Sequence, residues 1–145
     1  MNKIIANNYT PKRIFMGKMP YGQDILKSIE DFCDSMSINV GYFSLIGAVS
    51  SLTLGYYDQK NKKYMTYKKN ESLEIVSCNG NISLKDDKVF VHSHGVFSDK
   101  QGDVIAGHIF SDSIIFAGEI YIQELEGKVL KRNFDDTTAL MLWSV

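Results

Sequence analysis

This chain has few cysteines, no surplus of charge and no long apolar run, and each shortage removes a class of answer. Only two cysteines occur among 145 residues. Cys33 and Cys78 each sit in an apolar segment and share no metal-type spacing, so they read as buried free thiols of a reducing compartment. The formal net charge is −1. Basic residues are scattered, with short concentrations only at Lys60–Lys63 and Lys68–Lys69, which is not the footprint of an autonomous nucleic-acid binder. No window approaches the roughly 20 apolar residues of a membrane-spanning helix. The opening stretch MNKIIANNYTPKR lacks the apolar core of an export signal. The expectation is a cytoplasmic protein that does not enter the membrane. No phosphate-binding loop, dinucleotide glycine fingerprint or EF-hand loop occurs. Ser98 and Asp99 lie close to a histidine pair, but no nucleophile elbow supports a hydrolytic triad.

The composition is that of a globular domain, 44% hydrophobic and 23% charged, and the length suits one domain with one core. Residues 1–145 are read as a single domain, with 1–11 polar and loose. One strong helical pattern occurs. Ile25, Ile29, Phe32 and Met36 recur at spacings of four, three and four, widened by Leu26 and Cys33, with Asp24 in the first turn. Elsewhere the pattern is that of strands: 13–17, 40–49, 51–58, 64–67, 73–84, 89–97, 104–110, 114–124, 129–134 and 138–143. Asn79-Gly80-Asn81 interrupts one of them as a bulge or tight turn. Short turns favour antiparallel pairing, and many strands with one covering helix give an α+β fold built on a mainly antiparallel sheet.

All three histidines fall within 17 residues of one another, at 92, 94 and 108. His92 and His94 are two apart on a strand and share a face. A turn centred near Lys100–Gln101 sets His108 on the next strand, opposite or diagonal to them, within about 5–8 Å between Cβ atoms. Which face His108 takes depends on register. Three neutral imidazoles on one face suit Zn²⁺ and leave a coordination position open to water or a small ligand. Apolar neighbours Val91, Val96, Ile105 and Ile109 suggest partial burial, which keeps imidazole neutral. Gly95 and Gly107 leave room for a ligand to approach. Glu119, a charge within the apolar stretch IIFAGEIYI, is exposed, paired, or an acceptor for an imidazole N–H. Arg13 opens an apolar strand as a solvated end or as a contact for an anionic ligand.

The stretch VHSHGVFSDKQGDVIAGHIFSDSIIFAGEIYIQ (91–123) resembles the PPC domain found in plants and prokaryotes. It has the family's H-x-H pair (His92, His94), a D-x-x-G turn (Asp99 to Gly102), Gly107-His108, and a following strand carrying Glu119. GYFSLIGAVSSLTLGYYD (41–58), SLEIVSCNGNISL (72–84) and RNFDDTTALML (132–142) are similar to its other segments in the same order. The resemblance implies a curved sheet with a covering helix, assembled as a homotrimer. It also implies that His92, His94 and His108 are zinc ligands, as in some prokaryotic members. In plants the domain follows basic AT-hook segments that enter DNA, and this chain has none, so the resemblance carries over the trimerising core and not direct DNA contact.

Three functions follow as expectations. The first is a trimeric binding module that uses a metal or a small ligand at the histidines. Support for the trimer comes from the apolar run 40–49 and from Tyr56 and Tyr57, more than one small core can bury. The second is a zinc-dependent enzyme, with Glu119 as general base. The third, by family analogy, is a DNA-associated regulator.

Overall fold

The computed structural model describes residues 3–145. The elements run β1 (Thr10–Lys18), α1 (Ile25–Ser35), β2 (Gly41–Asp58), β3 (Lys63–Lys69), β4 (Leu73–Lys85), β5 (Lys88–Ser98), β6 (Val104–Glu126), β7 (Arg132–Asp135) and β8 (Leu140–Trp143). A six-stranded antiparallel sheet has the order β1-β6-β5-β4-β2-β3, and β2 also pairs with β6. The ladder from β2 through β4, β5 and β6 therefore returns to β2, and the sheet curves until it closes on itself. The mainly antiparallel α+β fold is as the sequence predicts.

Alternation along the strands sorts side chains into two faces. Phe43, Leu45, Val91, Phe97, Ile109 and Ile122 point to the core, where the Ile25, Ile29 and Cys33 stripe of α1 covers them. Asp24 caps the helix instead of lying in its first turn. One carboxylate oxygen accepts from the Lys27 N–H and the other from the Ser113 N–H of β6, tying the helix start to the sheet. Both cysteines are buried and free, and burial pushes their thiols up, to about 12 for Cys33 and about 11 for Cys78.

Three expectations change. The segments 40–49 and 51–58 are one strand, as are 104–110 and 114–124. Bulges between Val49 and Thr53 shift the side-chain phase without ending the hydrogen-bond ladder, so one bent strand carries the sequence signature of two. β4 runs unbroken through Asn79-Gly80-Asn81, and its register shift lies instead between Ile75 and Ser77. The last two strands do not complete the main sheet. β7 and β8 form a separate hairpin, held against β4 by the parallel bridge Leu84–Lys131, by the Leu84 N–H donating to the Leu130 carbonyl, and by the Arg132 side chain on Ser83 and Asn81. Among the described residues no helix is long and apolar enough to cross a membrane.

Candidate metal site and adjoining cavity

The β5–β6 hairpin fixes the site. His94 pairs directly with His108, and Gly95 with Gly107, before β6 leaves β5 and runs on along β2. Directly paired residues share a face, so the register places His108 beside His94, and His92 lies two residues away on that same face. The ring centroids are 5.1 Å apart for His92 and His94, 5.0 Å for His92 and His108, and 5.2 Å for His94 and His108. One ring nitrogen from each residue lies within 4.8 Å of the other two. Nδ1 of His108 and Nε2 of His94 are 3.3 Å apart, the separation of about 3.3 Å expected for two ligands of one tetrahedral zinc at Zn–N near 2.05 Å. The donor set and its spacing fit a divalent ion of zinc type.

The three rings lie on the face turned away from the core. Val91 and Ile109 point the other way, so they are not what shelters the histidines. Gly95 and Gly107 also face away. A Cβ at Gly95 would meet the Phe97 ring at 2.6 Å and one at Gly107 would meet the Gly55 carbonyl at 2.8 Å, so their small size permits close strand packing and leaves no extra room for a ligand. Shelter comes from Phe110, two residues along β6 from His108, and from residues remote in sequence. The Tyr64 ring of β3 lies 4.9 Å from His108, and Phe110 lies 4.6 Å from it. The β7–β8 hairpin brings Arg132 alongside.

Burial is the main cause holding the His92 imidazole down to about 4, reinforced by the Arg132 and His94 charges. His108 is likewise held down to about 4, by burial first and then by His92, His94 and Arg132. Both rings are thus neutral, the ligating form, at neutral pH. Unfolding restores a value near 6.5, so the unfolded chain takes up protons first as pH falls. The metal-free protein is therefore expected to lose stability progressively between about pH 6.5 and pH 4. Urea midpoints measured across that window check this, and the fall should be smaller in a His92→Asn/His108→Asn variant.

Arg132 is the residue that sequence reasoning missed. It is 7% exposed. Its Nε donates to Ser83 Oγ at 2.9 Å, Nη1 to the Met141 carbonyl at 2.9 Å and Nη2 to Asn81 Oδ1 at 2.7 Å. Its guanidinium also stacks against Phe90 and Trp143, at 5.2 and 5.7 Å from their centroids. The only signal for it is a pair of cations, Lys131 and Arg132, within the strand-like stretch 129–134.

The two charges that sequence reasoning did select lie elsewhere. Glu119 is exposed, paired with Ile46 of β2 and Lys18 of β1. It lies well along β6 from His108, whose own partner on β2 is Gly55, so it accepts nothing from an imidazole. Arg13 is engaged by protein groups. Its Nε donates to the buried Glu124 carboxylate and its Nη2 to the Met36 carbonyl at 2.8 Å. It is the counter-ion of a buried carboxylate, remote from the cluster.

The model of the Plants and Prokaryotes Conserved (PCC) domain matches residues 6–126. A metal-containing protein of Archaeoglobus fulgidus is 37% identical, with 98% of this chain and 100% of that chain covered and a TM-score of 0.94. A plant- and prokaryote-conserved (PPC) protein of Pyrococcus horikoshii is 30% identical, with 98% of each chain covered and a TM-score of 0.92. A protein of Bacteroides thetaiotaomicron, provisionally named as DNA-binding, is 26% identical, with 95% of this chain and 98% of that chain covered and a TM-score of 0.83. Among curated proteins none matches at the significance required.

Proposed function

We propose, from the premise that this chain belongs to the Plants and Prokaryotes Conserved domain family, that it is a trimeric binding module whose His92, His94 and His108 hold one zinc ion. The observation that carries the reading is the meeting of three ring nitrogens within 4.8 Å. That the Archaeoglobus relative is a metal-containing protein supports it. Three protein ligands leave a coordination position for a small ligand, and zinc bound there supplies Lewis acidity. The chain's own part is to keep His92 and His108 neutral and to hold His94 against His108 through strand register.

An exposed apolar face supports the assembly. In register across β1, β6 and β2 stand the rows Ile14–Gln123–Tyr42, Met16–Tyr121–Ser44 and Lys18–Glu119–Ile46. Ile14, Met16 and Ile46 are 56%, 84% and 52% exposed. Large apolar side chains aligned on one sheet face fit burial against copies of the chain, and Glu119 belongs to this surface.

Metal content and mass test both parts. Protein prepared without a histidine tag is expected to hold or take up about one zinc per chain, and light scattering to give three times the 16.4 kDa chain mass. Fewer than about 0.1 ion per chain, with no uptake of added zinc, overturns the metal reading.

A second reading, association with DNA, draws on the provisional name of the Bacteroides relative. With 16 basic against 17 acidic side chains, little counterion release is available. A gel shift in low salt is expected to show no complex below about 100 μM protein, the weak end of nonspecific binding.

A further inference from the structure

The cavity beside the histidines carries charge of one sign. It measures about 410 Å³, within the roughly 300–1,000 Å³ of small-molecule sites. His92 and His108 form part of its wall. Its charged lining residues are Lys62, Lys63, Lys85 and Arg132, and no carboxylate lines it. Four aromatic rings, those of Tyr57, Tyr64, Phe90 and Phe110, line it as well.

Arg132 makes this more than a solvated basic patch. Its guanidinium is buried, and its three bonded acceptors, Ser83, Met141 and Asn81, are all neutral. Among the described residues every ion pair uses other cations, so no carboxylate offsets this charge. Burying a charge without a counter-ion is unfavourable, and a docking anion relieves that cost. A guanidinium has five N–H groups, and three bonds leave two for a ligand. The lysines are less committed. Lys62 Nζ donates to the Asp136 carbonyl at 3.2 Å. The nearby Asp135 carboxylate accepts from the Thr138 hydroxyl and N–H, and the Lys62 charge also acts on it without a direct ion pair. Lys85 rests over the Phe90 ring.

We propose that this cavity binds a small organic anion, a carboxylate or phosphate on a short apolar body, with the charged group between Arg132 and the histidine cluster and the apolar body against the aromatic rings. The position of the charged group at the cluster rests on the metal reading above. The preference for an anion rests on the cations alone. Arginine suits the role because its planar fork matches both carboxylate and phosphate.

The test is calorimetric titration of the full chain, after zinc uptake has been measured on the same sample. The probes are benzoate, phenyl phosphate and the uncharged benzyl alcohol. At least one of the two anions is expected to bind at least about tenfold more tightly than benzyl alcohol, the weight of a hydrogen bond to a charged group, and comparing the two identifies the preferred headgroup. Arg132→Gln is expected to remove that preference. Because Arg132 also braces the hairpin, Lys62→Gln/Lys63→Gln serves as a second variant at exposed positions, and it should weaken the anions several-fold while leaving benzyl alcohol unchanged. Zinc-loaded protein that binds all three probes equally, or none, overturns the inference and leaves the metal site standing. A chain that takes up no zinc overturns the metal reading. Equal binding of the three probes by that metal-free sample then overturns the anion preference too.

Discussion

Replacing His92 and His94 together by alanine should lower bound zinc from about one ion per chain to below a tenth, while the protein stays folded and trimeric. The site has three protein donors, and one imidazole cannot hold zinc against solvent and buffer. The fold should survive because all three rings sit on the face away from the core that α1 covers, and neither His92 nor His94 belongs to that core. Zinc binding to the folded state stabilises it by about 2.7 kcal/mol at a free concentration one hundred times Kd. The parent protein should therefore melt several degrees higher with zinc than without, and the double variant should show no such difference. His94→Ala alone is the milder probe, since His94 is the most exposed ring of the three. Inductively coupled plasma analysis and thermal melts with and without chelator give the result. A double variant that keeps full zinc content sinks the assignment. One that falls apart into unfolded chains makes the histidines structural groups.

The parts of this architecture that could be read from residue order are those set by local periodicity. The spacing of Ile25, Ile29, Phe32 and Met36 places the helix and its buried stripe. The turn near Lys100–Gln101 brings His108 close to the His92–His94 pair, because hairpin pairing is a local property of the turn, but the face His108 takes is fixed only by the register His94–His108. What stayed hidden depends on where distant segments meet. The bulges within β2 and β6 reset alternation and make one strand resemble two, since period-2 reasoning sees a phase change and not the continuing ladder. Glu119 and Arg13 each stand out as a charge in apolar surroundings, and each does so for a physical reason. Glu119 lies on an exposed sheet face, and Arg13 neutralises Glu124. Arg132 carries the same signal. Nothing local links a hairpin after β6 to histidines before it, because the chain must first fold back for Arg132 to reach Asn81 and Ser83. The same holds for Tyr64, whose approach to His108 depends on β2 lying between β3 and β6.

Gly80→Ala should be among the most damaging single-methyl changes available, and it should weaken metal binding without touching a ligand. Gly80 sits in the middle of β4, opposite Ser93 of β5 on one side and Phe43 of β2 on the other. A Cβ built there would lie 2.4 Å from the His92 carbonyl oxygen and 2.4 Å from the Phe43 ring. Neither obstacle can yield cheaply. Phe43 is fully buried within the core, and the His92 carbonyl belongs to the backbone that carries the first ligand. Overfilling a packed interior costs about 1–3 kcal/mol, and two simultaneous clashes place this substitution at the upper end of that range. Relief requires β5 to move away from β4, and that motion carries His92 away from His94 and His108, so zinc affinity should fall by about tenfold or more, as for lost support around a metal ligand. Gly17→Ala is the matching control. It lies on β1, where the nearest atom to an added Cβ is Ile120 Cγ2 at 4.0 Å, and it should be neutral or slightly stabilising because alanine restricts the unfolded chain. Urea midpoints and zinc titrations of the two variants separate the cases. A Gly80→Ala protein as stable as Gly17→Ala, with unchanged zinc affinity, is incompatible with the close β4–β5 approach on which the position of His92 depends.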